Sequence, residues 1–280
     1  MTPAATSPRT PPRVLTIAGS DSGGGAGIQA DLKAFAACGV YGMTAITAIT
    51  AQNTVAVTAV EPVPPAMILA QIRAVASDIG IDAVKIGMVG GAEAIAAVAT
   101  ALDDLDDRIP VVLDPVMVAE SGAVLLPVDA RRALIELLIP RATVVTPNVG
   151  EARALTASDA EVPLDELVRR VFALGPRHAV LTGGHTDDVT DRFFDGEAVL
   201  AIPGERFSDG AAHGSGCTHA SALAANLALG HAPLEAARRA KLVAARAVRD
   251  GLRDIGAGAG PVDALGVGAR VDRRPPVPLA

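Results

Sequence analysis

The chain has 280 residues, half of them hydrophobic, enough to bury one large core, and alternating α/β folds of this length form a single domain by default. Charged residues make up 20% and the formal net charge is −7, so no global positive field draws in nucleic acid or an anionic membrane surface. With 2% aromatic residues and no Trp, the chain also lacks the stacking platforms of single-stranded nucleic-acid binders.

Residues 1–13, rich in Pro, Thr and Ala, contain no apolar stretch and read as a loose leader rather than a signal peptide or anchor. Short β-branched runs then alternate with Ala-rich stretches of helical character, which predicts an α/β fold: a central, mostly parallel sheet flanked by helices on both faces. The first strand is expected over Val14 to Ala18, a Gly-rich turn over Gly19 to Gly27, and a helix from about Ile28 to Cys38 that stops at Gly39. Tyr41 to Ala51 and Val55 to Val60 read as extended, and Pro64-Pro65 suits the first turn of a helix reaching about Ile79.

Three apolar runs, Ala83 to Ile86, Val111 to Leu113 and Thr143 to Val145, end in the polar or Gly-bearing turns Gly87-Met88, Asp114-Pro115 and Thr146-Pro147-Asn148. Ligands of open α/β sheets bind at such carboxyl ends. His178 to Leu181, Thr190 to Phe194 and Ala198 to Ile202 supply later strands, and helices over Gly216 to Leu229 and Pro233 to Gly251 complete a single domain spanning 14–267, with 268–280 as a loose tail. No stretch approaches the ~18 apolar residues of a membrane span. Cys38 and Cys217 are too few for a disulfide framework and lack zinc-ligand spacing, so a reducing cytosol is the expected location.

Three motifs carry possible chemistry. Gly19-Ser20-Asp21-Ser22-Gly23-Gly24-Gly25-Ala26-Gly27 lets the backbone approach a ligand, yet it is neither a Walker A loop nor a GxGxxG, and a tight strand-to-helix turn explains it equally well. His213-Gly214-Ser215-Gly216-Cys217-Thr218 opens a helix, where successive amides at a positive helix end make an anion site or merely a cap. Cys217 falls in that first turn, where its pKa can be lowered unless it is a buried, inert thiol. Asn148 and Glu151 stand three residues apart at a strand-to-helix junction, either as a capping pair or as groups ordering water around Mg²⁺. Cys38 reads as apolar packing.

The stretches Leu15 to Asp21 and Gly23 to Lys33 strongly resemble the N-terminal signature of hydroxymethylpyrimidine kinases, which belong to the ribokinase-like superfamily. The resemblance continues through Tyr41-Gly42-Met43, Ala51-Gln52-Asn53-Thr54, Lys85-Ile86-Gly87-Met88, Asp114-Pro115-Val116-Met117, Thr146-Pro147-Asn148 with Glu151-Ala152, Gly183-Gly184-His185, the His213 to Thr218 motif and Gly258-Ala259-Gly260-Pro261-Val262. It implies a ribokinase-like fold and ATP-dependent phosphorylation of 4-amino-5-hydroxymethyl-2-methylpyrimidine and its monophosphate in thiamine biosynthesis. It further implies that Gly19, Asp31, Gln52, Met88 and Val116 line the pyrimidine pocket. Asp114, Asn148, Thr182 and Gly184 would face ATP, and Asp114, Asn148 and Glu151 would organise Mg²⁺, partly through water. Gly214, Ser215, Gly216 and Cys217 would form the catalytic anion hole, with Cys217 as proton acceptor, in a homodimer.

This chain carries Thr182 where many members of that family have Lys, and pyridoxine kinases of the same superfamily share the Thr-Gly-Gly, so a B6-vitamer kinase is the alternative reading. Gln52, whose amide both donates and accepts, favours the aminopyrimidine. A non-catalytic ligand-binding protein and a nicotinamide-dependent oxidoreductase are more distant alternatives, the latter opposed by the missing GxGxxG.

Overall fold

The computed structural model describes residues 10–118, 122, 125–184, 189–208 and 210–271, so most of the expected leader and tail, and His185, lie outside the described residues. Nine strands form one sheet in the order β3-β2-β1-β4-β5-β6-β7-β8-β9 among the described residues. They are β1 Arg13–Asp21, β2 Tyr41–Gln52, β3 Val57–Pro62, β4 Ala83–Ile86, β5 Val111–Leu113, β6 Val144–Val145, β7 Ala179–Leu181, β8 Asp191–Phe194 and β9 Val199–Ile202. From β2 through β1 and β4 to β7 the pairing is parallel, whereas β3, β8 and β9 pair antiparallel at the two ends.

Alternation along each strand creates two cores. Leu15 and Ile17 of β1, Ile86 of β4 and Leu113 of β5 face α2 (Pro65–Asp78), α3 (Ala92–Asp103) and the segment that begins as α4 (Val128–Ala133). Val14, Val112, Val144 and Val180 face the other way, toward α1 (Gly27–Ala37), α7 (Ser215–Ala228) and α8 (Pro233–Arg249). Between them in sequence lie α5 (Val149–Thr156) and α6 (Leu164–Phe172), which cover the first face through Leu155, Leu167 and Val171. Because β1 has β2 on one side and β4 on the other, the chain direction of successive crossovers reverses there, and a crevice opens at the carboxyl ends.

The structure adjusts several expectations. β1 continues through Asp21, past a register shift between Ala18 and Ser20, so the first three residues of the expected Gly-rich turn remain in the strand. Helices α3, α4 and α6 have no counterpart among the expected elements, and α4 passes into a π turn, Leu134–Leu138, and a 3₁₀ turn, Ile139–Arg141. Near the chain end, Val267–Val271 form a short helix, α9, overlapping the expected loose tail. The Asp263 carboxylate explains it by accepting the amides of Val267 at 2.9 Å and Gly268 at 2.8 Å.

Candidate active site

The crevice is a cavity of about 410 Å³, walled by the carboxyl ends of the parallel strands and by α7 and α8. Gly19, Gln52, Met88 and Val116 line it, as do Asp114, Asn148, Glu151, Thr182 and Gly184. The start of α7, Gly214 to Cys217, lines the same cavity, so motifs up to about 200 residues apart in sequence converge on one space. Gln52 sits at the end of β2, where its backbone amide takes a 2.8 Å bond to Ser22 Oγ and Thr50 Oγ1 donates to its side-chain oxygen at 3.2 Å.

Gly214 caps α7 at φ 85°, and a Cβ there would collide with the carbonyl oxygen of Gly25, so only glycine lets the two Gly-rich segments touch. Thr218 N–H makes the first helical bond, to Gly214 O at 2.9 Å. The amides of Gly216 and Cys217 precede it and have no acceptor among the described residues, leaving them as donors at the positive helix end. Ser215 lines the cavity, but its amide, expected in the anion hole, closes a turn on Ala212 O at 3.0 Å and is not free for an anion.

Cys217 faces the cavity, but burial pushes its thiol up to about 12, against the pull of Lys85 and of the Gly27 amide. The expected lowering by the helix start is therefore not seen; desolvation in the walls of the crevice outweighs the helix end. Burial likewise lifts Asp114 to about 6, opposed by Lys85, and Glu151 to about 8, the latter reinforced by Asp114. Asn148 and Glu151 form a reciprocal capping box at the start of α5: Glu151 N–H donates to Asn148 Oδ1 and Asn148 N–H to Glu151 Oε2, both at 2.9 Å. Capping and cavity lining thus coexist. Two carboxyls lining one cavity, of which Asp114 raises the pKa of Glu151, suit a hard divalent cation, since Mg²⁺ takes one or two carboxylates and completes its shell with water and phosphate.

Asp31 departs from its predicted place. It is fully buried, lines no part of the cavity, and accepts both Lys85 Nζ at 2.9 Å and Ser221 Oγ at 2.7 Å on Oδ1, with Thr16 Oγ1 at 2.6 Å on Oδ2. Its position on α1 points it down onto β1 and β4 rather than into the crevice, and Lys85 of β4 is the member of the pair that reaches the cavity wall.

Residues 21–263 match the family described as phosphomethylpyrimidine kinase, and that match spans every motif in the cavity from Gln52 to Cys217. The chain belongs to this family. It is 52% identical over 259 residues to the hydroxymethylpyrimidine/phosphomethylpyrimidine kinase of Rhizobium meliloti, covering 89% of this chain and 95% of the relative. The crystal structure of phosphomethylpyrimidine kinase from Clostridium difficile is 41% identical and superposes with a TM-score of 0.73, covering 82% of this chain and 96% of its own. Pyridoxal kinase from Staphylococcus aureus in complex with AMP-PCP and pyridoxal is 35% identical with a TM-score of 0.82, covering 93% and 96%. The fold is ribokinase-like and the protein a phosphotransferase of the phosphomethylpyrimidine kinase family.

Within this family member, sequence reasoning gave no role to four polar residues that line the cavity. Lys85 stood inside a quoted motif, but nothing in a strand sequence shows that its side chain is buried beside an acid fifty-four residues earlier. His213 packs against Asp21, its Nε2 3.4 Å from Oδ2, and ties the first Gly-rich segment to the second. Asp191 holds Lys241 Nζ at 2.6 Å and Gly183 N at 3.0 Å. His219 lies 3.5 Å from Asp191 Oδ2, held neutral by burial, with neither ring nitrogen hydrogen-bonded within the described residues.

Proposed function

We propose that the protein transfers the γ-phosphoryl group of ATP to the hydroxyl of 4-amino-5-hydroxymethyl-2-methylpyrimidine, and then to the resulting monophosphate, in the cytosolic synthesis of thiamine. The observation that carries this reading is the pair of unspent helix-start amides, Gly216 and Cys217, in one cavity with Gln52. Gln52 matches the amino and ring-nitrogen edge of the pyrimidine, Met88 and Val116 supply its apolar walls, and Gly19 lets the backbone close on it. Thr182 and Gly184, beside the Asn148 turn, face the ATP phosphates.

The acceptor hydroxyl attacks the γ-phosphorus in line. A P–O bond forms to the acceptor, the bond to the β-phosphate oxygen breaks, ADP leaves, and the hydroxyl proton passes to Cys217 or solvent. Because such transition states are loose, little basicity is demanded. A thiol near 12 is almost entirely protonated at neutral pH and has little capacity to take the proton, so the amides carry more of the developing charge than the sulfur does. Asp114 and Glu151, with Asn148 through water, would hold Mg²⁺, which supplies charge neutralisation at the phosphates when bound.

We also propose a homodimer. The edge strand β3 is exposed along most of its length, with Val60 on it and Ile49 and Val55 beside it uncovered, and such edges are ordinarily masked.

Coupled measurement of ADP release with the hydroxymethylpyrimidine, its monophosphate and pyridoxal tests the assignment. Turnover with both pyrimidines, exceeding that with pyridoxal, is expected; turnover with pyridoxal alone would transfer the assignment to the B6 vitamers.

A further inference from the structure

The cavity floor holds a cation that the mechanism above leaves without a role. Lys85, on the penultimate position of β4, is fully buried, and its ammonium is gripped by both oxygens of Asp31, at 2.9 and 3.0 Å. Asp31 is itself fixed from two further elements, by Thr16 of β1 and Ser221 of α7. Ser221 stands one helical turn after Cys217 on the same face of α7, so this network lies directly beneath the anion hole. The ammonium curls upward toward the strand end: a Cβ placed on Gly87 would lie 2.7 Å from Lys85 Nζ and 3.2 Å from the Ala18 methyl. A glycine at 87 is thus what leaves room for the charge at the cavity floor.

Burying a charged pair costs more than packing apolar groups of the same size, so stability alone is a poor reason for the arrangement. Three elements converge to hold the cation at one spot, and that spot adjoins the place where negative charge gathers during phosphoryl transfer.

Building on the kinase reading, we propose that Lys85 is a positioning residue of the reaction: anchored by Asp31, Thr16 and Ser221, it sets a permanent positive charge under Cys217 and strengthens the anion hole from below. The ammonium acts through the hole rather than by touching substrate. Lys85 pulls the Cys217 thiol down against burial, while its partner Asp31 and also Asp114 push it up, so the two members of the buried pair act on the sulfur in opposite senses.

The test uses the full chain in a Cys38→Ser background, so that Cys217 is the single thiol. Lys85→Met removes the ammonium and Asp31→Asn, made separately, removes its counter-charge, so alkylation of Cys217 should slow in the first variant and not in the second. The Lys85→Met variant is expected to melt cooperatively and to bind the hydroxymethylpyrimidine, measured by calorimetry, within about threefold of the parent, yet to lose about 100-fold in kcat. Its Cys217 should react with iodoacetamide about tenfold more slowly at pH 8, the change in thiolate fraction that one pH unit represents. Retention of kcat and alkylation rate within twofold overturns the proposal. Loss of binding and cooperative melting together also overturns it, by showing a structural tether. If the parent transfers phosphate to neither pyrimidine, the kinase reading fails, and the alkylation rates still decide whether the charge acts on the hole.

Discussion

At Cys217 two opposed effects meet in one side chain. The first turn of α7 favours a thiolate, whereas the enclosing walls favour the thiol, and burial wins, placing the group near 12. Since the thiolate fraction then grows through the whole accessible range, alkylation of Cys217 should accelerate about tenfold per pH unit from pH 7 to 10. A plateau near pH 8 would mean an activated cysteine instead. For the same reason Cys217→Ala should keep measurable turnover, about 10- to 100-fold below the parent, because the amides at 216 and 217 survive the substitution. Gln52 belongs to this scale too. Replacing it with Met leaves the polar ring edge of the pyrimidine facing a thioether, and discrimination against a deaminated analogue should fall by about 1–3 kcal/mol in relative kcat/KM; unchanged discrimination would remove Gln52 from the recognition site.

Among the elements, the two Gly-rich segments act as a unit. Gly214 abuts Gly25, His213 approaches Asp21, and the Asp21 carboxylate gathers the amides of Gly23 at 2.8 Å, Gly25 at 3.0 Å and Ala26 at 2.8 Å. Burial alone would raise the Asp21 pKa, but the bond with His213 and the amides of Ala26 and Gly23 prevail and lower it. The sign follows: with the folded value below the unfolded one, about 4, the contribution of Asp21 to stability is complete above that pH and is lost as pH falls through the folded value. Asp21→Asn should therefore cost about 1–3 kcal/mol at pH 7 and less at pH 3, measured by urea denaturation. A penalty that grows on acidification would contradict the assignment. Gly214→Ala, which must push Gly25 aside and strain a positive φ, should cut kcat more severely than Cys217→Ala; the reverse order would make the sulfur, not the helix start, the chief contributor.

Elements with β-branched residues bounded by turn formers were legible in the sequence almost to the residue, as Ala83–Ile86 and Val111–Leu113 show. Helix α3 was not, because AEAIAAVATALD relies on alanines whose small side chains give the helical period little contrast; Ile95 and Val98 bury its inner face only because β4 and β5 are there to receive them. The π and 3₁₀ turns after α4 were equally invisible, since packing of Leu134, Leu138 and Ile139, not local propensity, decides them.

For the whole molecule, the arrangement that matters is the reversal at β1, which brings loops from both halves of the sheet to one crevice and leaves β3 as an open edge. Sedimentation equilibrium at micromolar concentration is expected to give twice the chain mass, and Val60→Lys with Ile49→Lys to give the single mass; a parent that runs as a monomer would refute the self-association.

The sequence by itself determined the α/β pattern, the glycine-opened helix start and the family, because these depend on local periodicity, on residues that no other side chain can replace, and on long ordered motifs. Tertiary structure decided the rest. Asp31 and Lys85 are ordinary charged letters in a helix and a strand until the sheet stacks one over the other, and the state of the Cys217 thiol follows from the cavity walls and charged groups that packing gathers around it. Burial and the distance between groups remote in the chain are properties of packing, and no pattern along a single stretch of residues encodes them.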